Sequence, residues 1–406
     1  MPSLSSDIWK LPSINKFLHD IGQKLIDGIS LVILFPNSTD LLRFQQSLLR
    51  QLEAGHPLTS QVLDLGSGNG NKPLEFLREV IPLFAKYQYI DQAIEDEDLP
   101  DVLILTHLEK CCAAQQAEWI NVLARWSEAC RSTGSRHSLA LLTRAESVSN
   151  LLLPQPDVRL AYHLWAGIPS ALESRLVFRG DTNSLDAEGQ WRENILSSLA
   201  ANDLQLGEFL WDFVVGDVDE IILQLRQYAH EMDWSIASTR KLLENWRPTI
   251  RETSTSFNPN NNSFALLSRG ITIYTPENGE ELHPAVLAVM EKEEEIVHRL
   301  WRAQASLILP VIDDIRLRVC NSMKNRHGVN WAGQIEDQNP TYPDLGKLKF
   351  YFDKLPEKDS DRKLWGRIIK QAWMIRNKLA HYKIIDFQAY QNLWYGYVHI
   401  RKMINP

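Results

Sequence analysis

Three side chains near the end of the sequence could move protons around a phosphate: Arg376, Asn377 and His381, in the stretch WMIRNKLAHYK at 373–383. An unperturbed imidazole titrates at about 6.5, so His381 is suited to give and take protons near neutral pH. Arg376 adds a permanently charged fork that grips phosphate oxygens through paired, charge-assisted hydrogen bonds. Asn377 can orient either group. Cleavage of RNA needs little more, because the ribose 2′-OH is itself a nucleophile, and the expected ends are a 2′,3′-cyclic phosphate and a 5′-OH, made without a metal. Lys378 and Lys383 flank the trio and could follow an RNA backbone, although lysines on a helix often serve only to keep a face solvated.

The element that must position them is a helix. At about 100° per residue, Trp365, Ile368, Ile369, Ala372, Ile375 and Leu379 fall on one face of residues 361–383. Arg376 falls inside that same stripe, about 60° from Leu379, where a guanidinium with five donors demands a partner. Asp313 or Asp314 could supply a counter-charge inside a helical bundle; a cleft or a dimer seam is the other solution. Asn377 and His381 stand four apart, one above the other at the edge of the stripe.

R-N-x-x-x-H on a late helix of an all-helical C-terminal region of residues 291–406 resembles the HEPN superfamily. The preceding KLKFYFDKL also looks like a helix of that family. The resemblance implies a metal-independent endoribonuclease with Arg376, Asn377 and His381 at the motif positions and no cofactor. Its active site is usually composed of two such domains, so a homodimer or a second HEPN domain is implied as partner, with RNA, tRNA or mRNA, as substrate. Some members of the family only bind RNA or other proteins. A toxin or antiviral effector, with a regulatory or antitoxin protein as a further partner, is the corresponding biological expectation.

Charge is distributed to match. The chain of 406 residues has a net charge of −8, which argues against wholesale nucleic-acid binding, yet residues 291–406 carry 20 Lys+Arg against 14 Asp+Glu. The rest carries the acidic excess, so only the C-terminal part is expected to attract phosphate. A 44% hydrophobic composition and 23% charged residues are ordinary for a soluble globular chain of two or three domains. No apolar run approaches the ~18 residues of a membrane span. The N-terminus lacks a secretory pattern, and a cytoplasmic location is expected. Cys111, Cys112, Cys130 and Cys320 have neither zinc nor disulfide spacing and read as reduced core thiols. His283 and His298 have no ligand partners at metal spacing.

The first part of the chain predicts a parallel α/β sheet. Continuous apolar runs at 30–36, 61–66, 101–109, 137–143 and 158–164 read as strands covered on both faces, with helices between them. Within this part, VLDLGSGNG at 62–70 matches a glycine-rich loop of class I methyltransferases, with Gly66, Gly68 and Gly70 at the turn. The surrounding strand spacing fits that family poorly. A strand followed by a Gly/Asn loop is the preferred reading, and a methyltransferase the least favoured of three.

The strand order resembles that of STAND or AAA-type P-loop ATPases instead. Phe35-Pro36-Asn37-Ser38-Thr39-Asp40 would then occupy the phosphate loop, but it has no Gly to expose successive N–H groups and no Lys for the phosphates. Thr106 and His107 stand where acids are expected, with Glu109 nearby. The expectation is therefore a hydrolysis-deficient P-loop-like domain over 1–180. A helical and winged-helix-like region follows over 181–290, with a loop at 247–264 and a turn at Glu277–Glu280, and the HEPN domain occupies 291–406. Pro310 is expected to kink or break the helix that follows the acidic run at 291–295, and Gly328–Pro343 to interrupt it further. Trp365 and Trp394 read as core. The leading expectation is a nuclease effector regulated by its N-terminal part; a non-catalytic RNA- or protein-binding scaffold of a defence complex is the alternative.

Overall fold

The computed structural model describes residues 8, 11–35, 41–55, 58–67, 72–148, 151–165, 171–179, 186–200, 203–244, 246, 266, 269–275, 279–331 and 342–404. The sequence readings at 36–40, at Gly68 and Gly70, at 247–264, and at 276–278 and 332–341 lie outside these residues. The chain divides into two compact units, 3–173 with 234–283, and 174–233 with 284–406.

The first unit is built on a five-stranded parallel sheet: β1 (Ser30–Phe35), β2 (Ser60–Asp64), β3 (Val102–Thr106), β4 (Ser138–Arg144) and β5 (Leu160–Leu164), ordered β2-β3-β4-β1-β5. All five expected strands are present. Their helices are α1 (Pro12–Ile26), α2 (Leu41–Gly55), α3 (Pro73–Val80) and α4 (Ala113–Thr133). Pro12 opens α1 at a position where its missing N–H costs nothing. The apolar runs are continuous because both faces are covered: Val32 and Leu34 of β1 share a core with Trp119, Leu123 and Trp126 of α4, while Phe35 meets Phe44 of α2 at 4.7 Å between ring centroids. Partly exposed positions run along the two edge strands, β2 and β5, while in the centre of the sheet only Arg144, at the end of β4, is partly exposed.

His163 of β5 is buried beneath α1, where Lys24 Nζ approaches its Nε2 to 3.0 Å. Burial, assisted by the Lys24 charge, pulls this imidazole down to about 4 from its ordinary 6.5. Burial likewise lowers the pKa of Lys24. His163 belongs to the core, with half-buried Lys24 at its edge.

The same unit contains an antiparallel pair, β6 (Thr272–Thr275) and β7 (Gly279–Leu282). The sequence had suggested one strand and a turn here; the turn's last two residues are the start of β7. Buried Glu280 ties the pair together, accepting from Thr272 Oγ1 at 3.0 Å and from Trp246 Nε1 at 3.3 Å. An acidic side chain at a strand position hides that strand from a pattern search, since the buried face no longer reads as apolar.

Among the described residues, the regular elements of the second unit are all helical, with α5 (Ala187–Leu199), α6 (Leu204–Leu210), α7 (Val218–Glu231), α8 (Pro284–Val289), α9 (Glu293–His327), α10 (Leu345–Lys354), α11 (Arg367–Ala380) and α12 (Phe387–Ile404). Asp186, Asp203, Asp217 and Asp344 cap α5, α6, α7 and α10 by accepting backbone N–H groups of the first turn. Trp191 of α5 packs on Tyr390 of α12 at 5.2 Å, so helices that precede the acidic run complete the bundle.

Two sequence expectations need correction. Pro310 does not break α9, which runs unbroken for 35 residues. Pro310 is exposed, while Leu307, Ile308, Val311 and Ile312 on either side are buried, so packing of that face holds the helix through the proline. The cysteines are not all core thiols. Cys130 and Cys320 are buried, and desolvation raises each to about 11, but Cys111 is half-buried and Cys112 is exposed at the start of α4.

Candidate functional site

α11 buries Ile368, Ile369, Ala372, Ile375 and Leu379 against its neighbours, and a single turn of π-helix, Arg362–Gly366, leads into it with Trp365 fully buried. Arg376 is exposed. This corrects the picture of a guanidinium enclosed in the apolar stripe: it lies at the stripe's margin, where a long stem carries the charged head into water. Asp313 and Asp314 are not its partners. Asp313 pairs with Arg316 at 2.9 Å; Asp314 accepts from Arg318 Nε at 2.7 Å and Tyr397 Oη at 2.8 Å, contacts that help hold its carboxyl below the usual range although burial opposes them.

The Arg376 Nη1 group instead donates to Asn377 Oδ1 at 3.4 Å, a long hydrogen bond on the surface. His381 is the residue at which α11 ends, its backbone N–H bonded to the carbonyls of Asn377 at 3.2 Å and Lys378 at 3.1 Å. Its side chain is exposed, as are those of Lys378 and Lys383. The structure thus brings Arg376 and Asn377 into contact and leaves His381 one turn further on, at the helix end, with both lysines beside it in sequence.

The helix end is closed by the chain itself. Tyr382 N–H bonds Leu379 O at 3.1 Å and Lys383 N–H bonds Lys378 O at 2.9 Å, the double closure that usually places glycine in the left-handed position. Here Tyr382 occupies it, at φ 56°. With no glycine or proline to punctuate it, this stop is invisible to a turn search.

Two residues of α9 fix the segment from below. Trp301 Nε1–H donates to Leu379 O at 2.8 Å. One turn later, buried Gln304 donates to Ile385 O at 2.9 Å and accepts from Ile385 N–H at 2.8 Å. His381 therefore sits on a short span pinned on both sides, two residues after one anchor and four before the other. Such pinning holds a site's groups in place without using the groups themselves. Trp301 and Gln304 were missed in the sequence because they are about eighty residues away from what they hold.

Trp301 also carries two aromatic neighbours. His298 lies stacked on it, with centroids 5.6 Å apart and planes 12° from parallel, and Tyr382 lies on it at 4.6 Å and 42°. His298 is exposed and Tyr382 is 65% exposed.

The glycine-rich stretch has a local explanation. Asp64, at the end of β2, accepts from Gly66 N–H at 2.9 Å and lies 2.9 Å from His107 Nδ1. Its carboxylate closes a turn and holds His107, which follows β3 with φ 59°. A Cβ on Gly66 would fall against the Lys110 side chain. The stretch also follows an edge strand, whereas ligand crevices in such sheets open at switch points between central strands. Thr106 is buried and donates to Leu63 O at 3.3 Å.

In comparisons with known proteins, no family model matches the chain and no curated protein matches it. Among solved structures, it is similar to a DNA polymerase III gamma subunit-related protein from Thermotoga maritima. That match has 13% identity and a TM-score of 0.25, and covers 96% of this chain and 99% of that one. Among the described residues, no helix is long and apolar enough to cross a membrane.

Proposed function

We propose that the helical unit is a metal-independent endoribonuclease whose groups are Arg376, Asn377 and His381, with the sheet unit a P-loop-like regulator that does not hydrolyse nucleotide. The observation that carries the reading is the end of α11: an exposed arginine bonded to an asparagine, with an exposed histidine one turn on, held on a pinned span beside two exposed lysines. Arg376 binds the scissile phosphate. The 2′-oxygen forms a bond to phosphorus as its proton passes to a base, and the bond to the 5′-oxygen breaks as that oxygen takes a proton. Two proton transfers suit two histidines, so a second copy of the unit, offering its own His381, completes the site. Asn377 orients the guanidinium.

Support for the regulator reading comes from the all-parallel order β2-β3-β4-β1-β5 and from the absence of Gly and Lys in the 36–40 sequence. A toxin or antiviral role follows as the biological proposal: expression arrests the host, and His381→Ala relieves the arrest.

The deciding experiment incubates purified full-length chain with RNA in excess EDTA. Cleavage to 2′,3′-cyclic phosphate ends, lost in both His381→Ala and Arg376→Ala, is the expected result. Equal cutting by parent and variants means a contaminant and ends the proposal.

A further inference from the structure

The row His298–Trp301–Tyr382 is used by none of the steps above. Its central ring is fixed to Leu379 of α11, two residues before His381, so the row and the proposed nuclease groups share one helix end. Tyr382 makes the row costly. A tyrosine at φ 56° carries roughly 1 kcal/mol or more of backbone strain that glycine would avoid, and the residue is 65% exposed rather than buried. Contact with Trp301 offsets part of that, yet the residue stays largely in solvent.

The charges around the row differ between its two ends. His298 stands one turn after Glu294 and Glu295, the latter paired with Lys292 at 3.1 Å, and is followed one turn on by exposed Arg302. Tyr382 stands between His381 and Lys383, with Arg376 and Lys378 on the preceding turns, all exposed. An anionic backbone is thus accepted at the Tyr382 end and repelled toward the acidic turn, while flat rings present themselves between.

We infer that His298, Trp301 and Tyr382 form a stacking platform for an unpaired base of single-stranded RNA, setting the adjoining phosphate before Arg376 and His381. This rests on the nuclease reading and names its substrate class. Duplex RNA offers its bases only edge-on and cannot use the platform. Stacking is tolerant of sequence because every base has a π-face, so the platform selects unpaired nucleotides rather than a particular base.

The test measures binding of full-length protein to a fluorescein-labelled single-stranded RNA bearing 2′-O-methyl groups throughout, which stacks but cannot be cut, by anisotropy across a salt series. Tyr382→Gly removes the ring and relieves the strained φ. Its affinity is expected to drop about tenfold with the salt slope unchanged, since no charge is lost. Tyr382→Phe keeps the parent's affinity, and Lys378→Ala lowers affinity together with the slope. Blunt duplex of the same sequence binds more weakly than the strand and is indifferent to Tyr382→Gly. Parent-like affinity in Tyr382→Gly overturns the platform, as does equal affinity of the parent for strand and duplex, or a ring that matters only for capturing a protein. If unmethylated RNA is still cut in those cases, the nuclease reading survives without the platform. If the parent neither binds nor cuts RNA, both are lost.

Discussion

His163 of the sheet unit and His381 of the helical unit meet opposite surroundings. In the sheet unit, His163 is buried beneath α1 and stays neutral because desolvation and Lys24 both oppose its charge. In the helical unit, His381 and His298 stand exposed, one at a pinned helix end and the other stacked on a tryptophan. A histidine buried in a parallel sheet answers to stability; one displayed beside an arginine and two lysines is available to an anionic substrate. The glycine stretch of the sheet unit repeats the lesson, since the carboxylate that looks like a ligand group is spent on Gly66 and His107.

The contrast is sharpest in activity. His381→Ala is expected to lower RNA cleavage about a thousandfold and Arg376→Ala by a hundredfold or more, as read by gel or end-labelled substrate. Gly66→Ala in the sheet unit leaves the rate where it is. A cleavage rate that follows Gly66 rather than His381 breaks the comparison.

Next in size is the anchor. Gln304→Ala strands a buried N–H and a buried carbonyl of Ile385, at about 1–3 kcal/mol each, and frees the span carrying His381. Denaturant unfolding is expected to record a loss of about 4 kcal/mol for the helical unit, with kcat falling more than KM rises. Gln304→Glu, which retains only the acceptor, should recover less than half.

The sheet unit's own signature is a pH dependence. His163 titrates near 4 when folded and near 6.5 when unfolded, so between those values the unfolded chain binds a proton that the folded chain refuses. Stability therefore rises with pH through this window and is lost as pH falls from about 6.5 toward 4, by roughly 3 kcal/mol in all. Thermal unfolding at pH 7 and pH 4.5 should show the sheet unit weakening in the parent, and much less in His163→Gln. An unchanged pH response in the variant places the titration elsewhere.

The smallest effect is on the stability of the α11 end. Tyr382→Gly gains from relief of a left-handed tyrosine and loses the Trp301 contact, two opposing contributions of about 1 kcal/mol each, so its melting temperature should move by only a few degrees. A large destabilisation would mean that the ring serves the fold.

Much of the architecture could be read along the chain. The five apolar runs were long enough, and free enough of polar residues, to declare strands covered on both faces. The helical period of 291–406 could be read as a bundle, whereas the joining of helices from before residue 233 to it could not. That Arg376, Asn377 and His381 fall on successive turns near one helix end was legible too, because helical spacing is local. What could not be read were relations across long separations. Whether Arg376 was enclosed or free depended on how far the neighbouring helices extend beside the last turn of α11, and the wheel treats every turn alike. Pro310 would break an isolated helix; the burial of residues on both sides of it kept α9 whole. The stop at His381 has no glycine to announce it, and Glu280 concealed β7.

The sequence alone therefore determined which residues share a helix face, which runs make a parallel sheet, and where the chain's positive charge collects, since these follow from local periodicity and composition. Tertiary structure alone decided that Trp301 and Gln304 hold the span around His381, that His298 and Tyr382 meet on Trp301, and that Asp313 and Asp314 are engaged elsewhere. The reason is physical. Contacts within a helix turn are fixed by backbone geometry, whereas contacts across some eighty residues exist only once packing has brought two helices together.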